Sequence, residues 1–353
     1  MHYLNQLEPQ GLVSSFLGHP PVDFQASLSP AGVPVFTAKF DLLTTADKST
    51  RRIVTALPLY RFWGAWLRPR TCFVGTTVSE YALFNPEVAP RALIQSLKET
   101  HAKAHLFLII KDIPQDSPLL DSGSNRYAAE IVAEAQRAGF VILEGQALAY
   151  LPIDFSSIDE YYKRLSYKGR KDVRRKLRSR AELTIETVRT GSTFFADRAV
   201  LARLYQLYCN VYEQSEIHFD LLSREFFEVV LNEPDDAGIV FIYRHRGELI
   251  GFNLCFKTND KLVDKYVGFA YPRAREMNLY FVSWVHNIEY ALTHDLKTYV
   301  AGWTDPEIKA RLGASFTFTR HAIYVRNPLL RAGFRLFARR FESDRIWHEG
   351  QDM

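Results

Sequence analysis

Two hydrophobic periods alternate along this chain, and the switches between them mark out its elements. Runs that are apolar continuously or at every second position predict strands at 35–43, 51–57 and 106–110. Helical spacing holds over 89–101 and 127–138, and Gly139 follows the second stretch as a stop. The lead from 9 to 34 is rich in proline and shows no clear period, and residues 60–66 form an aromatic segment. Ser157 and Glu160 have the spacing of a capping box. They open a helix with Ile158, Tyr162 and Leu165 on one side, which continues through Val173 and Leu177 with an interruption expected at Gly169.

The second half has a clearer rhythm. A helix over about 196–212 precedes strands at 238–245, 249–257 and 262–270. Only Arg246-Gly247-Glu248 and Thr258-Asn259-Asp260 separate these strands, so they form an antiparallel meander. A loop at 271–278, a long helix at 279–293, a strand at 297–301, a short helix and a last strand at 316–326 complete the pattern. In the short helix Thr304 and Glu307 are spaced as a second capping box, Pro306 falls in the first turn, and Gly313 supplies the stop. Lys309 is thereby held one turn past a helix start, beside the C-terminal end of a strand, where ligands of open α/β sheets tend to bind. The alternation of strands and helices gives an α/β (α+β) fold.

With 353 residues, 47% of them apolar, the chain is long enough for two domains. Cys72, Cys209 and Cys255 are far apart and odd in number, which argues against a disulfide framework or a zinc knuckle and for a reducing compartment. Residues 1–13 lack the features of a secretory signal, and no apolar run approaches the ~20 residues of a spanning helix. The expectation is a cytoplasmic protein, and a monomer. Charge changes the picture more. Between Lys163 and Arg180 ten Lys or Arg stand against Asp172 alone, so this block nets +9 within a chain of +4 and leaves the remainder at −5. Arg170, Lys171, Arg174, Arg175, Lys176 and Arg178 form the centre of this patch, on a mildly acidic body.

The element order of the second half resembles the GCN5-related N-acetyltransferase (GNAT) superfamily. Residues 271–278, followed by the long helix, look like its cofactor loop, whose usual form is Arg-x-x-Gly-x-Gly or Ala. The stretch 302–313, with Lys309, Arg311 and Gly313, resembles the strand and helix of the BioF2-like and FemAB-like acyltransferase branch. That resemblance implies two GNAT-like lobes in tandem, each a mixed, mostly antiparallel sheet flanked by helices. A degenerate lobe is expected at 1–155, a basic connector helix at 156–182, a transferase lobe at 183–328 and a basic amphipathic tail at 329–353. The tail repeats Leu330, Phe334, Phe337 and Phe341 among arginines, which suits packing or peripheral membrane contact.

The resemblance implies an N-acyltransferase that moves an acyl or aminoacyl group from acyl-CoA, an acyl carrier protein or aminoacyl-tRNA to the amine of a small molecule or peptide. Glu276 and Asn278 stand where the family's phosphate-binding glycines would be, so a carboxylate faces the phosphate. A basic patch suits the tRNA or the acidic carrier instead. Asp264 and Tyr266 lie on the central strand, and strict alternation puts both on one face and Lys265 on the other. Asp264 is a candidate to accept the amine's proton or else pairs with an arginine, Tyr266 to donate to the leaving group, and Lys309 to meet the acyl carbonyl or a phosphate. Lys265, Arg273, Arg275, Trp303 and Arg311 are candidates to bind substrate or donor. The alternative is a non-catalytic module that docks RNA or an acidic protein on the basic helix. No Gly-x-Ser-x-Gly, phosphate-loop or His-Glu-x-x-His motif occurs, and the scattered histidines give no reason to expect a metal.

Overall fold

The computed structural model describes residues 2–41, 52, 56, 64–215, 218–234 and 238–337. The lead without a period holds helix α1 (Gln10–Gly18) and strand β1 (Gln25–Leu28), followed by β2 (Pro34–Lys39) and β3 (Arg70–Val74). Of the strand expected at 51–57 only Arg52 and Ala56 are described, and both are helical. The aromatic run 60–63 and the tail beyond 337 lie outside the described residues. Helix α2 (Pro90–His101) begins on a proline at its first position, where the missing N–H costs nothing, and buries Leu93, Ile94 and Leu97. Strand β4 (Phe107–Gln115), α3 (Ser122–Arg137) and β5 (Val141–Pro152) follow.

The basic segment is two helices rather than one. Helix α4 (Ile158–Arg164) ends at Leu165, and α5 (Tyr167–Lys176) restarts because the Ser166 hydroxyl accepts the Gly169 N–H at 3.1 Å. Gly169, expected as the break, is instead inside the first turn of α5, where a Cβ would stand 3.4 Å from the Arg311 carbonyl oxygen. A 3-10 turn (Leu177–Glu182) leads to β6 (Leu183–Arg189), α6 (Arg198–Gln214) and α7 (Arg224–Asn232). The meander is β7 (Gly238–His245), β8 (Glu248–Thr258) and β9 (Lys261–Phe269), and left-handed Arg246 and Gly247 make its first turn. Then come α8 (Arg273–Glu276), α9 (Leu279–Thr293), β10 (Thr298–Gly302), α10 (Pro306–Arg311), β11 (Ser315–Val325) and α11 (Pro328–Phe337).

The chain forms two compact units, and neither is continuous in sequence. Unit 1 comprises Met1–Gln6, Phe16–Ala147 and Thr317–Met353, and unit 2 comprises Leu7–Ser15 and Leu148–Phe316. In unit 1 the strand order is β1, β2, β3, β4, β11, antiparallel except for β3 with β4. Its core sets Val35, Cys72, Leu108 and Ile110 with Leu93 and Leu97 of α2 and Ile131 and Ala135 of α3. In unit 2 the order is β6, β7, β8, β9, β10 and the end of β5, antiparallel except for β9 with β10. Helix α9 supplies much of this core through Leu279, Val282, Val285, Ile288 and Ala291. Each unit is therefore a mixed, mostly antiparallel sheet flanked by helices, the GNAT plan. The strand that closes each sheet comes from elsewhere in the chain: β5 follows α3 but pairs with β10, and β11 follows α10 but pairs with β4. These units cut across a division of the chain at 155 and 183.

Candidate active site

The parallel register of β9 and β10 covers Lys261–Val263 against Thr298–Val300 and stops there. Both strands bulge at that level. Against β8, Tyr266 faces Leu254 and Asp264 faces Cys255, which leaves Lys265 as the extra residue. Against β5, Val300 faces Tyr150 and Gly302 faces Ala149, which leaves Ala301 extra. An inserted residue bends the strand and re-aims the side chains after it.

The first bulge overturns the alternation expected for the central strand. Asp264 faces α9, where its carboxylate accepts from Asn253 Nδ2 at 2.6 Å, Asn287 Nδ2 at 3.2 Å and the Tyr299 hydroxyl at 2.7 Å. Tyr266 is on the other face, its ring 5.5 Å from that of Phe227 and 6.0 Å from that of Phe226, both on α7. Asn253 and Asn287 are fully buried, so the three neutral donors hold the Asp264 carboxylate in one orientation. Burial, and then the Asp264 charge, push the Tyr299 phenol far above its ordinary range, so it stays a donor. The Lys265 ammonium lies 3.5 Å from Glu8, with side-chain exposures of 7% and 1%.

Lys309 is buried at 4% exposure, although a lysine on a short helix is usually a surface residue. Its ammonium lies 3.9 Å from where a Cβ on Gly302 would be, over the end of β10. The expected Thr304 and Glu307 box does not form, because Asp305 is the N-cap, in the left-handed conformation and with no side-chain cap bond. The other end is as the sequence suggests. Gly313 is left-handed, its N–H donates to the Ala310 carbonyl at 2.9 Å, and the Ala314 N–H donates to the Lys309 carbonyl at 3.0 Å, the paired bonds of a Schellman stop. The Tyr161 hydroxyl donates to the Leu312 carbonyl at 2.9 Å and accepts from Trp284 Nε1 at 3.0 Å, so α4 and α9 both fix this helix end.

The remaining candidates are more exposed. Trp303 is half-buried in the turn after β10, and Arg311 is exposed with Glu307 4.0 Å away. The loop expected to cradle a phosphate is the single turn α8, in which Arg273 pairs with Glu276 at 2.8 Å. Arg275 bonds the Gln214 side chain and lies over the Tyr271 ring at 4.8 Å. Asn278 takes the left-handed conformation a glycine often fills and turns the chain into α9. The arginine neutralises the carboxylate that would oppose a phosphate, but no glycine offers close backbone approach.

One residue of this region was not legible in advance. Tyr280 is in the first turn of α9, and among the described residues its buried hydroxyl has no hydrogen-bond partner. Burial first, then the carboxylates of Asp305 and Asp264, raise its pKa. Its only signal in the sequence is its place just after the loop.

On the basic segment the cations divide into two groups. Asp172 accepts from Arg175 at 2.5 Å and pairs with Lys176 at 3.0 Å, which holds its carboxyl below the usual range. Arg174 is 3.7 Å from Asp159, Lys176 lies over the Phe281 ring, and Arg180 grips Glu289 with two bonds of 2.7 and 2.6 Å. Lys168, Arg170, Lys171 and Arg178 have no ion-pair partner among the described residues, and all but half-buried Arg170 are exposed. Also among the described residues, no three His, Cys, Asp or Glu side chains gather as metal ligands, and no helix is long and apolar enough to cross a membrane.

A FemAB-like family model, described as peptidoglycan biosynthesis/recognition, matches residues 79–349. The chain belongs to the FemAB-like family. Solved structures share the FemAB-like fold with this chain at low identity. FemX is 13% identical over 96% of this chain and 99% of its own, with a TM-score of 0.54. L-PGS from Bacillus licheniformis is 12% identical over 95% and 97%, also at 0.54. The C-terminal domain of a protein named lysylphosphatidylglycerol synthetase, from Agrobacterium fabrum, is 13% identical over 91% and 88%, at 0.54. No curated protein matches the sequence.

Proposed function

We propose that this FemAB-like protein is an acyltransferase that moves an aminoacyl group from aminoacyl-tRNA to the amine of a peptidoglycan-precursor peptide or a related acceptor. The observation that carries the proposal is where two groups stand: an oriented carboxylate, Asp264, directly after the last β9 residue of the β9–β10 register, and a buried ammonium, Lys309, over Gly302 just past the last β10 residue of it. Aminolysis of an ester needs little covalent help: the two reactants must be held together and the charge that develops must meet fixed groups. When the amine attacks the acyl carbon, the carbonyl electron pair moves to oxygen. Lys309 is the cation for that oxyanion, and Asp264 takes the proton the nitrogen must lose.

Three lines favour tRNA over acyl-CoA as donor. The turn 271–278 has no glycine to admit a pyrophosphate, the exposed cations Lys168, Lys171 and Arg178 belong to the same unit as Asp264 and Lys309, and the family's description concerns peptidoglycan. A tRNA donor also fits a cytoplasmic location. The test is to incubate the protein with tRNA charged with labelled amino acids and the small-molecule fraction of a cell extract, then to look for new amides by mass spectrometry. Product that vanishes after ribonuclease treatment of the tRNA supports the proposal. Product that persists, or that needs acyl-CoA instead, sinks the tRNA donor.

A further inference from the structure

We infer that Tyr161 is a positioning residue of the transferase, which acts through Lys309 by fixing the helix that carries it to the aromatic pair behind Asp264. The inference rests on the acyl-transfer reading of Asp264 and Lys309. Helix α10 has six residues, too few to hold a place by its own hydrogen bonds, and its N-cap Asp305 makes no side-chain cap bond. What lies against it therefore sets where Lys309 stands. The Leu312 N–H donates to the Lys309 carbonyl at 3.0 Å, and the Leu312 carbonyl, in a residue 1% exposed, accepts the Tyr161 hydroxyl at 2.9 Å. Two further residues of the basic segment meet the same helix end. A Cβ on Gly313 would stand 3.3 Å from Leu165 Cδ2, and one on Gly169 would stand 3.4 Å from the Arg311 carbonyl oxygen. Tyr161, Leu165 and Gly169 thus line the end of α10.

The second bond of the same hydroxyl decides what α10 is fixed to. It accepts from Trp284 Nε1 at 3.0 Å, and the Trp284 ring meets that of Tyr299 edge-on, with centroids 5.1 Å apart. Tyr299 in turn donates to Asp264 at 2.7 Å. Contacts therefore run without a gap from the helix of Lys309 to the carboxylate, all within unit 2. Tyr161, Trp284 and Tyr299 are each at most 3% exposed, so solvent does not replace a bond lost among them. A phenylalanine would fill the place of Tyr161 in this core equally well. The hydroxyl adds one donor and one acceptor, and both are used to join α10 to α9. Tyr161 gives and takes no proton in the reaction; its part is geometric. Where fixed charge lowers the barrier, a small shift of the ammonium relative to the acyl carbon is felt in turnover and not in donor binding.

The test is Tyr161→Phe in the charged-tRNA assay, with Lys309→Ala beside it and a second readout that does not depend on turnover. That readout is the rate at which acetic anhydride acetylates Lys309, followed by peptide mass spectrometry, with Lys265, buried in the same unit, as internal reference. The expected result is a fall in kcat of about 10-fold with KM for the charged tRNA unchanged. Lys309 should be acetylated about 10-fold faster than in the parent, through local opening of α10, while Lys265 stays as slow as before. An unchanged Lys309 rate overturns the assignment, and so does a rise shared by Lys309 and Lys265, which would mean a general loosening. If Lys309→Ala is inactive while Tyr161→Phe keeps the parental kcat, only the role of Tyr161 falls. If Lys309→Ala itself keeps the parental kcat, the acyl-transfer reading falls and this assignment with it.

Discussion

In unit 1 the parallel register of β3 and β4 ends at Val74 and Ile110, and β4 then bulges against β11, where Ile113 faces Arg320 and Ile110 faces Ala322. In unit 2 the register of β9 and β10 ends at Val263 and Val300, and β9 bulges at Lys265. The strand plan is the same, but the surroundings differ. In unit 1 Lys111 reaches across to donate to the Thr76 carbonyl at 3.0 Å and pairs with Asp112, whose own N–H donates to His321 Nδ1 at 3.1 Å. The segment that follows β3 is core, with Val78, Ser79, Glu80 and Tyr81 all buried. The matching segment of unit 2 leaves Arg273, Arg275 and Glu276 in solvent, and its lysine comes from the helix after β10. What separates the two units here is whether the chain after the first strand of the parallel pair, β3 or β9, is packed inside or left outside.

The largest expected effect tests the bulges themselves. Lys265→Met leaves Glu8 charged and buried, and should cost about 3–5 kcal/mol in urea denaturation. Lys111→Met, whose partner Asp112 is buried but also faces His321, should cost less, about 1–3 kcal/mol. Equal losses would mean that the two bulges are held alike. The next effect separates the chemistry: Lys309→Ala and Asp264→Asn should each cut turnover by about 100-fold or more, whereas Lys111→Ala and Asp112→Asn should change it by less than about 3-fold. Comparable losses from the unit 1 variants would remove the distinction.

A third effect reads out unit 2 through pH. His286 is pushed down from its ordinary 6.5 to about 4, by burial first and then by Arg180, with Glu289 opposing. Phe241 and Tyr243 of β7 pack on its ring. Because the folded value is below the unfolded one, only the unfolded chain takes up a proton between these pH values. Stability is complete above about pH 6.5 and falls by on the order of 2–3 kcal/mol as pH drops to about 4. His286→Gln should flatten that part of a plot of unfolding free energy against pH. The smallest effect concerns the basic face. Replacing Lys168, Lys171 and Arg178 together by Gln should weaken tRNA binding roughly 10-fold near 0.1 M salt and lower the slope against log salt by about 2–3. An unchanged slope would show that the phosphates lie elsewhere.

The meander and the helix that follows it were legible because alternation, two short turns and a 3.6-residue period are all local signals. The Gly313 stop was legible for the same reason. The bulge at Lys265 was not, since one extra residue reverses the face of every later side chain and leaves no local mark. That single residue moved Tyr266 away from Asp264. The restart at Ser166 lost to Gly169 in a reading by propensity, although the glycine's role is a close approach to a carbonyl 142 positions away. Lys309 and Tyr280 share this difficulty: burial of a cation and of an unpaired hydroxyl follows from packing that no nearby residue announces.

The assignment of β11 to the first sheet sets a schedule for biosynthesis. A ribosome has made β4 long before it reaches residues 317–325, so for more than 200 residues of translation β4 has no neighbour on one side. Strand β5 likewise waits for β10 across nearly 150 residues. Both waits leave backbone donors and acceptors open to other nascent chains, and they place the slow, long-range pairings at the end of synthesis.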